Sequence, residues 1–366
     1  MENKNENINN ISICWQNLSI KIKPSLMNNL WISSSSSKIT TTTNSNINNN
    51  NERTILKQLY GQFVYCSLNA VMGPSGSGKT TLLNFLSGTH HNVDNNRLMM
   101  SKESKIEIFD HNDHFSQSSF SSSYFIGQHV HEIILGRMTV GDILNYAFRF
   151  KNIDIHQYQL HNTTSIDNNK KVSKIRQQQQ QQQKHIHMVL SQLMLPVDIL
   201  ARQFSQCSGG EQKRIAIAQE LMSLRQPSFL FLDEPTTGLD SVSALEVVKC
   251  FRNLIVTTYQ QQQSRSITII ASIHAPSHET ISLFDQIYVL SKGGVCIYSG
   301  SIPDYSSISS LIVSASASSS LETDSETKTS TNSCKLMKIM APSNKNYYNN
   351  QPPVEALIEI ACKGMH

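Results

Sequence analysis

Apolar residues along the chain follow two rhythms, one typical of strands and one typical of helices. Short continuous apolar runs, as in fully buried strands, occur in "SFLFLDEP" and "SITIIASIHAP". Helical spacing occurs in "TTLLNFLSG", "MTVGDILNYAFRF" and "KHIHMVLSQLML". The stretch "ISICWQNLSIKIK" indicates an alternating strand, and "QIYVLSKGGVCIYSG" indicates a hairpin. Because strands and helices alternate, the sequence predicts an α/β fold with a buried, largely parallel sheet.

Four polar stretches interrupt this pattern. They are rich in Ser, Thr, Asn or Gln and hold too little apolar surface to offset the entropy of ordering. We therefore interpret them as loops enlarged by repeats, because lengthening a loop adds little to the free-energy cost of closing it. The alternative is that they are interaction tails. The stretches are Ser33–Asn51, His111–Ser123, the region around Arg176–Lys184, and Ser306 to about Ser333.

Composition excludes several classes of protein. The 366 residues carry 31 basic and 27 acidic side chains, and the basic ones are scattered, so a nucleic-acid partner is not expected. Seven cysteines stand far apart without a C-x-x-C pair, which argues against a disulfide framework or a zinc site. The first residues lack the apolar core of a secretory signal, and no run of about 18 apolar residues occurs. We therefore expect no transmembrane domain in this chain.

The stretch "GPSGSGKT" fits the phosphate-loop pattern G-x-x-x-x-G-K-[ST]. Glycines let a loop turn its N–H groups inward and approach a phosphate chain closely, and the next helix presents its positive end to the same anion. Lys79 adds a charge for the terminal phosphates, and the Thr80 hydroxyl can ligate Mg²⁺. A strand before and a helix after favour a nucleoside triphosphate site over a merely structural turn. The predicted phosphate-binding residues are Gly73, Pro74, Ser75, Gly76, Ser77, Gly78, Lys79, Thr80 and Thr81.

Two carboxylates follow the buried run "FLFL". Phosphoryl transfer needs a further metal ligand and a group that orients water, and the pair can supply both. We predict that Asp233 holds Mg²⁺, directly or through water, and that Glu234 positions the attacking water or takes its proton.

Further segments resemble the ATP-binding cassette (ABC) ATPases. The segment "CSGGEQKRIAIAQEL" resembles their signature segment, and its Ser208 stands 25 residues before Asp233. The segment "DEPTTGLDS" resembles the continuation into their D-loop, with Asp240 as its last key residue. Gln128 in "YFIGQHV" matches the position of the Q-loop glutamine, and His274 in "SIHAPS" that of the switch histidine.

This resemblance implies both a fold and residue roles. The fold is a P-loop NTPase of ABC type, with a mixed, mostly parallel core sheet, a flanking antiparallel β part and a helical subdomain carrying the signature segment. The implied catalytic residues are Glu234, His274 and Gln128, and the implied magnesium ligands are Thr80, Gln128 and Asp233. The signature residues act across a dimer on the partner's ATP; they are Ser208, Gly209, Gly210 and Glu211.

Details of these segments resemble the G subfamily, half-transporters whose nucleotide domain comes first. The strongest are "GPSGSGKTTLLNFLSG", "DEPTTGLDS" and "SIHAPSHETISLFDQIYVLSKGGVCIYSG", and "QPPVEALIEIAC" resembles the segment that closes their nucleotide domain. We accordingly divide the chain into a nucleotide-binding domain, a Ser/Asn-rich disordered insert and a closing helix. The domain spans 1–304, with a helical subdomain at about 129–225 and inserts at about 33–51, 111–123 and 156–184; the disordered insert spans 305–348 and the closing helix 349–366.

The chain departs from the family where adenine is usually stacked on an aromatic ring. Ile20 and Ile22 stand near that position, and Trp15 and Tyr60 are the nearest aromatic candidates. Directly after Gln128, where acidic residues often follow in the family, this chain has His129 and His131, and its first acidic residue is Glu132.

The resemblance implies ATP binding and hydrolysis with Mg²⁺, powering export as part of a G-type transporter. The expected partners are a second nucleotide-binding domain, identical or different, and a membrane-spanning domain, in a separate chain or missing from the gene model. The chain is then membrane-associated at the cytoplasmic face. Two alternatives remain, a soluble ABC ATPase with a non-membrane partner and a truncated remnant that no longer transports. The cargo cannot be predicted, because the family selects it with its membrane helices.

Overall fold

Two β-sheets and a set of α-helices make up the computed structural model. It describes residues 11–22, 53–89, 98–108, 123–128, 136–153, 168–225, 227–261, 267–302 and 361–362. The strands are β1 (Ile11–Ile22), β2 (Arg53–Val64), β3 (Leu68–Met72), β4 (Leu98–Met100), β5 (Lys105–Ile108), β6 (Ser123–Ile126), β7 (Phe229–Leu232), β8 (Thr268–Ile273), β9 (Gln286–Leu290) and β10 (Cys296–Gly300). The helices are α1 (Lys79–Leu86), α2 (Val140–Lys151), α3 (Asn168–Gln192), α4 (Gly209–Glu220), α5 (Ser241–Gln261) and α6 (His278–Ile281).

The core sheet has the strand order β10-β9-β3-β8-β7-β6. Strands β9, β3, β8, β7 and β6 pair in parallel, and β10 adds an antiparallel edge to β9. Every residue of β3, β7 and β8 is buried, which explains why these segments read as continuous apolar runs. The predicted α/β fold with a mostly parallel core sheet and a C-terminal hairpin is confirmed.

The second sheet is antiparallel and is built around β1. Strand β1 pairs with β2, β4 and β5. Its buried side chains, Ile13, Trp15, Leu18 and Ile20, pack in one apolar cluster with α1 and the near face of the core sheet. The flanking antiparallel part predicted from the family resemblance is therefore present, and it lies against the helix that follows the glycine-rich loop.

A helical layer formed by α2, α3 and α4 packs on the opposite side of the core sheet. Its apolar residues share one buried cluster with β3, β7 and β8. Helix α2 begins after Thr139, whose side chain accepts a hydrogen bond from the Asp142 amide. Helix α4 begins at Gly209 and so includes both glycines of "CSGGEQ", where the sequence had indicated a start after them.

The glutamine tract was predicted wrongly. The region around Arg176–Lys184 was expected to be structureless, but it lies within α3. Gln has a good intrinsic helix propensity, and apolar residues just beyond the tract anchor the helix, since Val189 and Leu190 are fully or almost fully buried. Gln182 adds a contact, because its Nε2 donates a hydrogen bond to Asn145 Oδ1 at 2.8 Å.

Other predicted boundaries lie outside the described residues. These are the 33–51 insert, almost all of the 111–123 insert, the 129–135 loop, the first part of the 156–184 insert, the 305–348 segment and most of the 349–366 closing segment. Within the closing segment, Ala361 is fully buried, and its carbonyl accepts a hydrogen bond from the Lys292 amide at 3.1 Å. Among the helices that the structure describes, none combines the length and the apolarity needed to cross a membrane.

Candidate functional site

The glycine-rich loop joins β3 to α1 and is wedged between the two sheets. Gly73 has φ of +146°, and a Cβ atom there would collide with the backbone carbonyl of Leu290 at the end of β9. Gly78 has φ of +97°, and a Cβ atom there would lie 2.5 Å from Leu56 Cδ2 on β2. Both positions therefore require glycine, for backbone conformation and for space. The loop is held in a fixed curve ahead of the N-terminus of α1.

Polar groups of this loop turn inward. Lys79 is only 4% exposed, and its Nζ donates hydrogen bonds to the carbonyls of Gly73 at 2.9 Å and Pro74 at 3.1 Å. Burial lowers the pKa of Lys79, and the negative charges of Glu234 and Asp233 oppose that shift. The Ser77 hydroxyl is buried and has no hydrogen-bond partner among the described residues. The loop thus holds an ammonium, an unpartnered hydroxyl and free helix N–H groups, the donors that a phosphate chain accepts.

The carboxylate pair follows β7 in a strained turn. Asp233 is 6% exposed, and its amide donates to the Ile126 carbonyl at 2.9 Å. Glu234 has φ of +47°, a left-handed conformation that non-glycine residues rarely adopt. Its Oε2 accepts a hydrogen bond from Thr237 Oγ1 at 2.9 Å. The turn thus buries one carboxylate and leaves the next partly accessible.

Parallel strands bring these groups to one edge of the core sheet. Strand β3, which leads into the loop, pairs Met72 with Ile273, the residue before His274. Strand β7, which leads to Asp233, pairs with β8 on its other side. The carboxylates also lie close enough to Lys79 to influence its pKa. The loop, both carboxylates and His274 therefore meet at the carboxyl ends of adjacent strands, where ligands bind in open α/β sheets.

Gln128 and His274 occupy the same edge. Gln128 comes just after β6, which pairs in parallel with β7, and its backbone carbonyl accepts a hydrogen bond from Lys213 Nζ at 3.0 Å. A small cavity lies between Gln128, Lys213 and Asp233. His274 is exposed and is followed by Ala275 with φ of +44°. Gln128 thus lines a cavity together with Asp233, and His274 follows the strand next to β7; the catalytic roles of both side chains stay predictions.

The signature residues form the N-terminal cap of α4. The Ser208 hydroxyl accepts a hydrogen bond from the Glu211 amide at 3.3 Å, and Glu211 Oε2 accepts one from the Ser208 amide at 2.8 Å. This reciprocal pair is a capping box. Ser208 and Gly209 are nonetheless exposed, so the start of α4 is accessible to another molecule.

The D-loop lies beside this cap. A Cβ atom on Gly209 would lie 3.0 Å from Leu239 Cδ2, and one on Gly210 would lie 3.5 Å from Ser243 Cβ. Asp240 caps α5, since its Oδ2 accepts hydrogen bonds from the amides of Val242 and Ser243, each at 3.2 Å. Hydrogen bonds from Ser243 lower the pKa of Asp240. Two segments that are far apart in the sequence therefore form one surface.

One aromatic candidate was wrong. Trp15 is 1% exposed, and its ring packs at 5.1 Å from the ring centres of both Phe63 and Tyr288. It therefore lies in the core and cannot stack on a base. Tyr60 is 49% exposed and stays a prediction, Ile20 is fully buried, and Ile22 is partly exposed at the end of β1.

Two polar residues at the site escaped the sequence analysis. The Ser272 hydroxyl is hydrogen-bonded to both Asp233 and Glu234. Lys213 Nζ donates a hydrogen bond to the backbone carbonyl of Gln128. The available signal for Ser272 was a hydroxyl inside the apolar run "TIIASI", two residues before His274. Lys213 is buried although it lies in a helix, and the residues around it in the sequence do not indicate this burial.

Comparisons with known proteins agree with this geometry. The ABC transporter family model matches residues 56–237. ABC transporter G family member 12 of Dictyostelium discoideum is 32% identical over 252 residues, covering 68% of this chain and 34% of that protein. ABC transporter G family member 11 of Arabidopsis thaliana is 32% identical over 262 residues, covering 69% of this chain and 30% of that protein. The chain spans about a third of the length of these relatives.

A solved structure supports the fold. CbiO1 of Clostridium perfringens, described as part of the ABC transporter complex cbiONQ, aligns with a TM-score of 0.50 and 17% identity, covering 80% of this chain and 89% of that one. ABC domains of this kind bind and hydrolyse ATP, and they work as dimers with membrane domains. The chain belongs to the ABC transporter family and carries an ATPase domain homologous to the nucleotide-binding domains of G-family transporters.

Proposed function

We propose that this chain binds ATP with Mg²⁺ at the loop of residues 73–81 and hydrolyses it with Glu234, as the motor of a G-type exporter. The meeting of Lys79, Asp233 and Glu234 at one edge of the core sheet carries this proposal. The proposed cellular place is the cytoplasmic face of a membrane.

The residues present suit a triphosphate and its metal ion. The close contacts of Gly73 with Leu290 and of Gly78 with Leu56 fix the course of the loop, and the unpartnered Ser77 hydroxyl gains an acceptor when phosphate oxygens are present. Lys79 exchanges its bonds to the Gly73 and Pro74 carbonyls for bonds to phosphate. Thr80, Asp233 and Gln128 offer the oxygen ligands that Mg²⁺ prefers. A bound magnesium ion supplies charge neutralisation for the terminal phosphates.

Side chains around the phosphates then have separate roles. Glu234 positions the attacking water and accepts its proton, and the Thr237 hydroxyl steadies the Glu234 carboxylate. His274 contacts the terminal phosphate from the end of β8, and Gln128 reaches the magnesium ion from the end of β6. Helix α1 directs its N-terminal amides toward the same charge.

A second nucleotide-binding domain completes the site in this proposal. The signature residues from Ser208 to Glu211 cap an exposed helix N-terminus, and the D-loop lies beside them. On a partner domain, the same surface covers the ATP of this chain and excludes water when the two close. Hydrolysis removes the shared ligand, and the domains separate.

The transport part of the proposal draws on the relatives. The Dictyostelium and Arabidopsis relatives are named as ABC transporters, and the chain spans only about a third of their length. We propose a membrane-spanning domain as the partner of this nucleotide-binding domain, and the cargo stays open. If membrane fractionation recovers the chain without any membrane partner, the non-membrane alternative replaces the exporter.

The test is ATP hydrolysis by the purified chain with and without Mg²⁺. We expect Mg²⁺-dependent turnover in the wild type and a loss of about 100-fold or more in Glu234→Gln, because the amide cannot accept a proton. ATP binding should persist in this variant, since the loop of residues 73–81 is unchanged. Glu246→Gln, an exposed glutamate on α5, is the matched control and should hydrolyse ATP like the wild type. Equal turnover in Glu234→Gln and wild type contradicts the proposed role, and no turnover in any form favours the non-transporting remnant.

A further inference from the structure

Ser272 joins the two carboxylate residues through one hydroxyl group. Its Oγ donates a hydrogen bond to Asp233 Oδ1 at 2.7 Å and accepts one from the Glu234 amide, also at 2.7 Å. Ser272 is fully buried on β8. A hydroxyl has a single hydrogen to donate, so the one on Ser272 is committed to Asp233 while a lone pair serves Glu234.

Both bonds act on groups whose geometry matters for hydrolysis. The bond to Oδ1 fixes the rotation of the Asp233 carboxylate, and Oδ2 is the oxygen that Ser272 does not engage. The bond from the Glu234 amide holds a residue whose φ of +47° is unfavourable without support. Ser272 also stands two residues before His274 on the same strand. One buried side chain therefore links the orientation of the two carboxylate residues proposed to surround the phosphates.

We infer that Ser272 is a positioning residue for ATP hydrolysis, which orients Asp233 toward magnesium and holds the backbone of Glu234 in its left-handed conformation. This inference rests on the function proposed for Asp233 and Glu234. Ser272 does not touch the nucleotide and acts only through these two residues. A partner that orients a metal-binding carboxylate affects metal affinity and activity, whereas a hydroxyl that merely satisfies buried groups affects stability alone.

The experiment compares Ser272→Thr with Ser272→Val in the full 366-residue chain. The two replacements have nearly the same shape and differ in the hydroxyl group. We measure turnover, the affinity of the nucleotide-loaded chain for Mn²⁺ by EPR titration, ATP binding in EDTA, and thermal unfolding. Thr should stay within about threefold of wild type in turnover and Mn²⁺ affinity, while Val should lose about 10- to 100-fold in both. ATP binding in EDTA should be alike in all three proteins.

The outcomes separate this inference from the function beneath it. If the wild type is active and Thr and Val share the same Mn²⁺ affinity and turnover, Ser272 is only a packed core residue and the inference is overturned. If the wild type itself hydrolyses no ATP, the proposed function fails first. If the added methyl group prevents folding in both variants, Ser272→Ala is compared with wild type instead. Wild-type Mn²⁺ affinity in that variant then overturns the inference.

Discussion

Lys79 shows how a single buried charge is accommodated before any ligand is considered. Its ammonium has three N–H donors, and carbonyls of its own loop accept two hydrogen bonds from them. Asp233 and Glu234 favour the charged form, while burial opposes it. The side chain is therefore held at the loop by weak neutral acceptors, which phosphate oxygens can replace.

Replacing Lys79 tests this arrangement. Lys79→Ala removes a charged donor from the phosphates, and we expect ATP affinity to fall by about 10- to 100-fold, as for the loss of a hydrogen bond to a charged group. A fluorescent ATP analogue measures the affinity. Lys249→Ala, an exposed lysine on α5, should bind like the wild type. Unchanged affinity in Lys79→Ala would show that the loop does not hold the phosphates.

At the scale of whole elements, the features that could be predicted from the sequence are those set by residues close together along the chain. The phosphate loop and Asp233 each lie in one contiguous stretch, and the glycines and apolar residues of that stretch predict the strand that comes before them. The role of Ser272 depends on β8 lying next to β7, a pairing between segments far apart in sequence. Trp15 was misplaced for the same reason, because its burial comes from contacts with Phe63 and Tyr288. The glutamine tract was wrongly predicted to be structureless because the prediction relied on its composition and not on the apolar residues after it, which anchor the helix.

Helix α3 is joined to the end of α4 by a histidine. His185 Nε2 lies 3.0 Å from the Leu221 carbonyl, just after α4, and its ring packs at 5.6 Å from the Phe148 ring on α2. Burial lowers the pKa of His185 below its ordinary value of 6.5, although the bond to Leu221 opposes this shift. The imidazole is therefore held in its neutral form among three helices.

This shift predicts how stability depends on pH. Because the folded pKa is lowered, the unfolded chain binds the proton more readily, and the contribution of His185 is complete above about pH 6.5 and is lost as the pH falls below it. The free energy of unfolding, from urea titrations at pH 7.5 and 5.5, should fall further in wild type than in His185→Gln. His187→Gln, at an exposed position of the same helix, should keep the wild-type difference. An equal fall in wild type and His185→Gln would remove His185 as the cause.

For the whole molecule, the exposed surface around Ser208 matters most. The signature cap and the D-loop form one continuous face at the start of α4 and α5. Both segments are already held in place by their own helix caps, so neither has to rearrange before another molecule can contact it. If this face binds a second domain as proposed, we expect the oligomeric state of the protein to depend on nucleotide.

Light scattering can measure that dependence. Glu234→Gln with ATP and Mg²⁺ should accumulate at twice the 41.1 kDa mass of one chain, because slow hydrolysis keeps the shared ligand in place. Adding Ser208→Arg to this variant should keep it monomeric, since a large side chain obstructs the contact, while nucleotide binding is retained. Without Mg²⁺, both proteins should stay monomeric. A doubly substituted protein that still dimerises with ATP would place the interface elsewhere.

The walls around the glycine-rich loop come from elements remote in sequence, the Leu290 carbonyl on one side and the Leu56 side chain on the other. The loop's curvature thus depends on these outside contacts as well as on its own glycines, which adopt positive φ. Transplanting "GPSGSGKTT" into an unrelated scaffold would carry over its glycines but not the contacts with Leu290 and Leu56. A miniature version of this protein that keeps these contacts would need both sheets, even though the predicted phosphate-binding loop is a single short stretch.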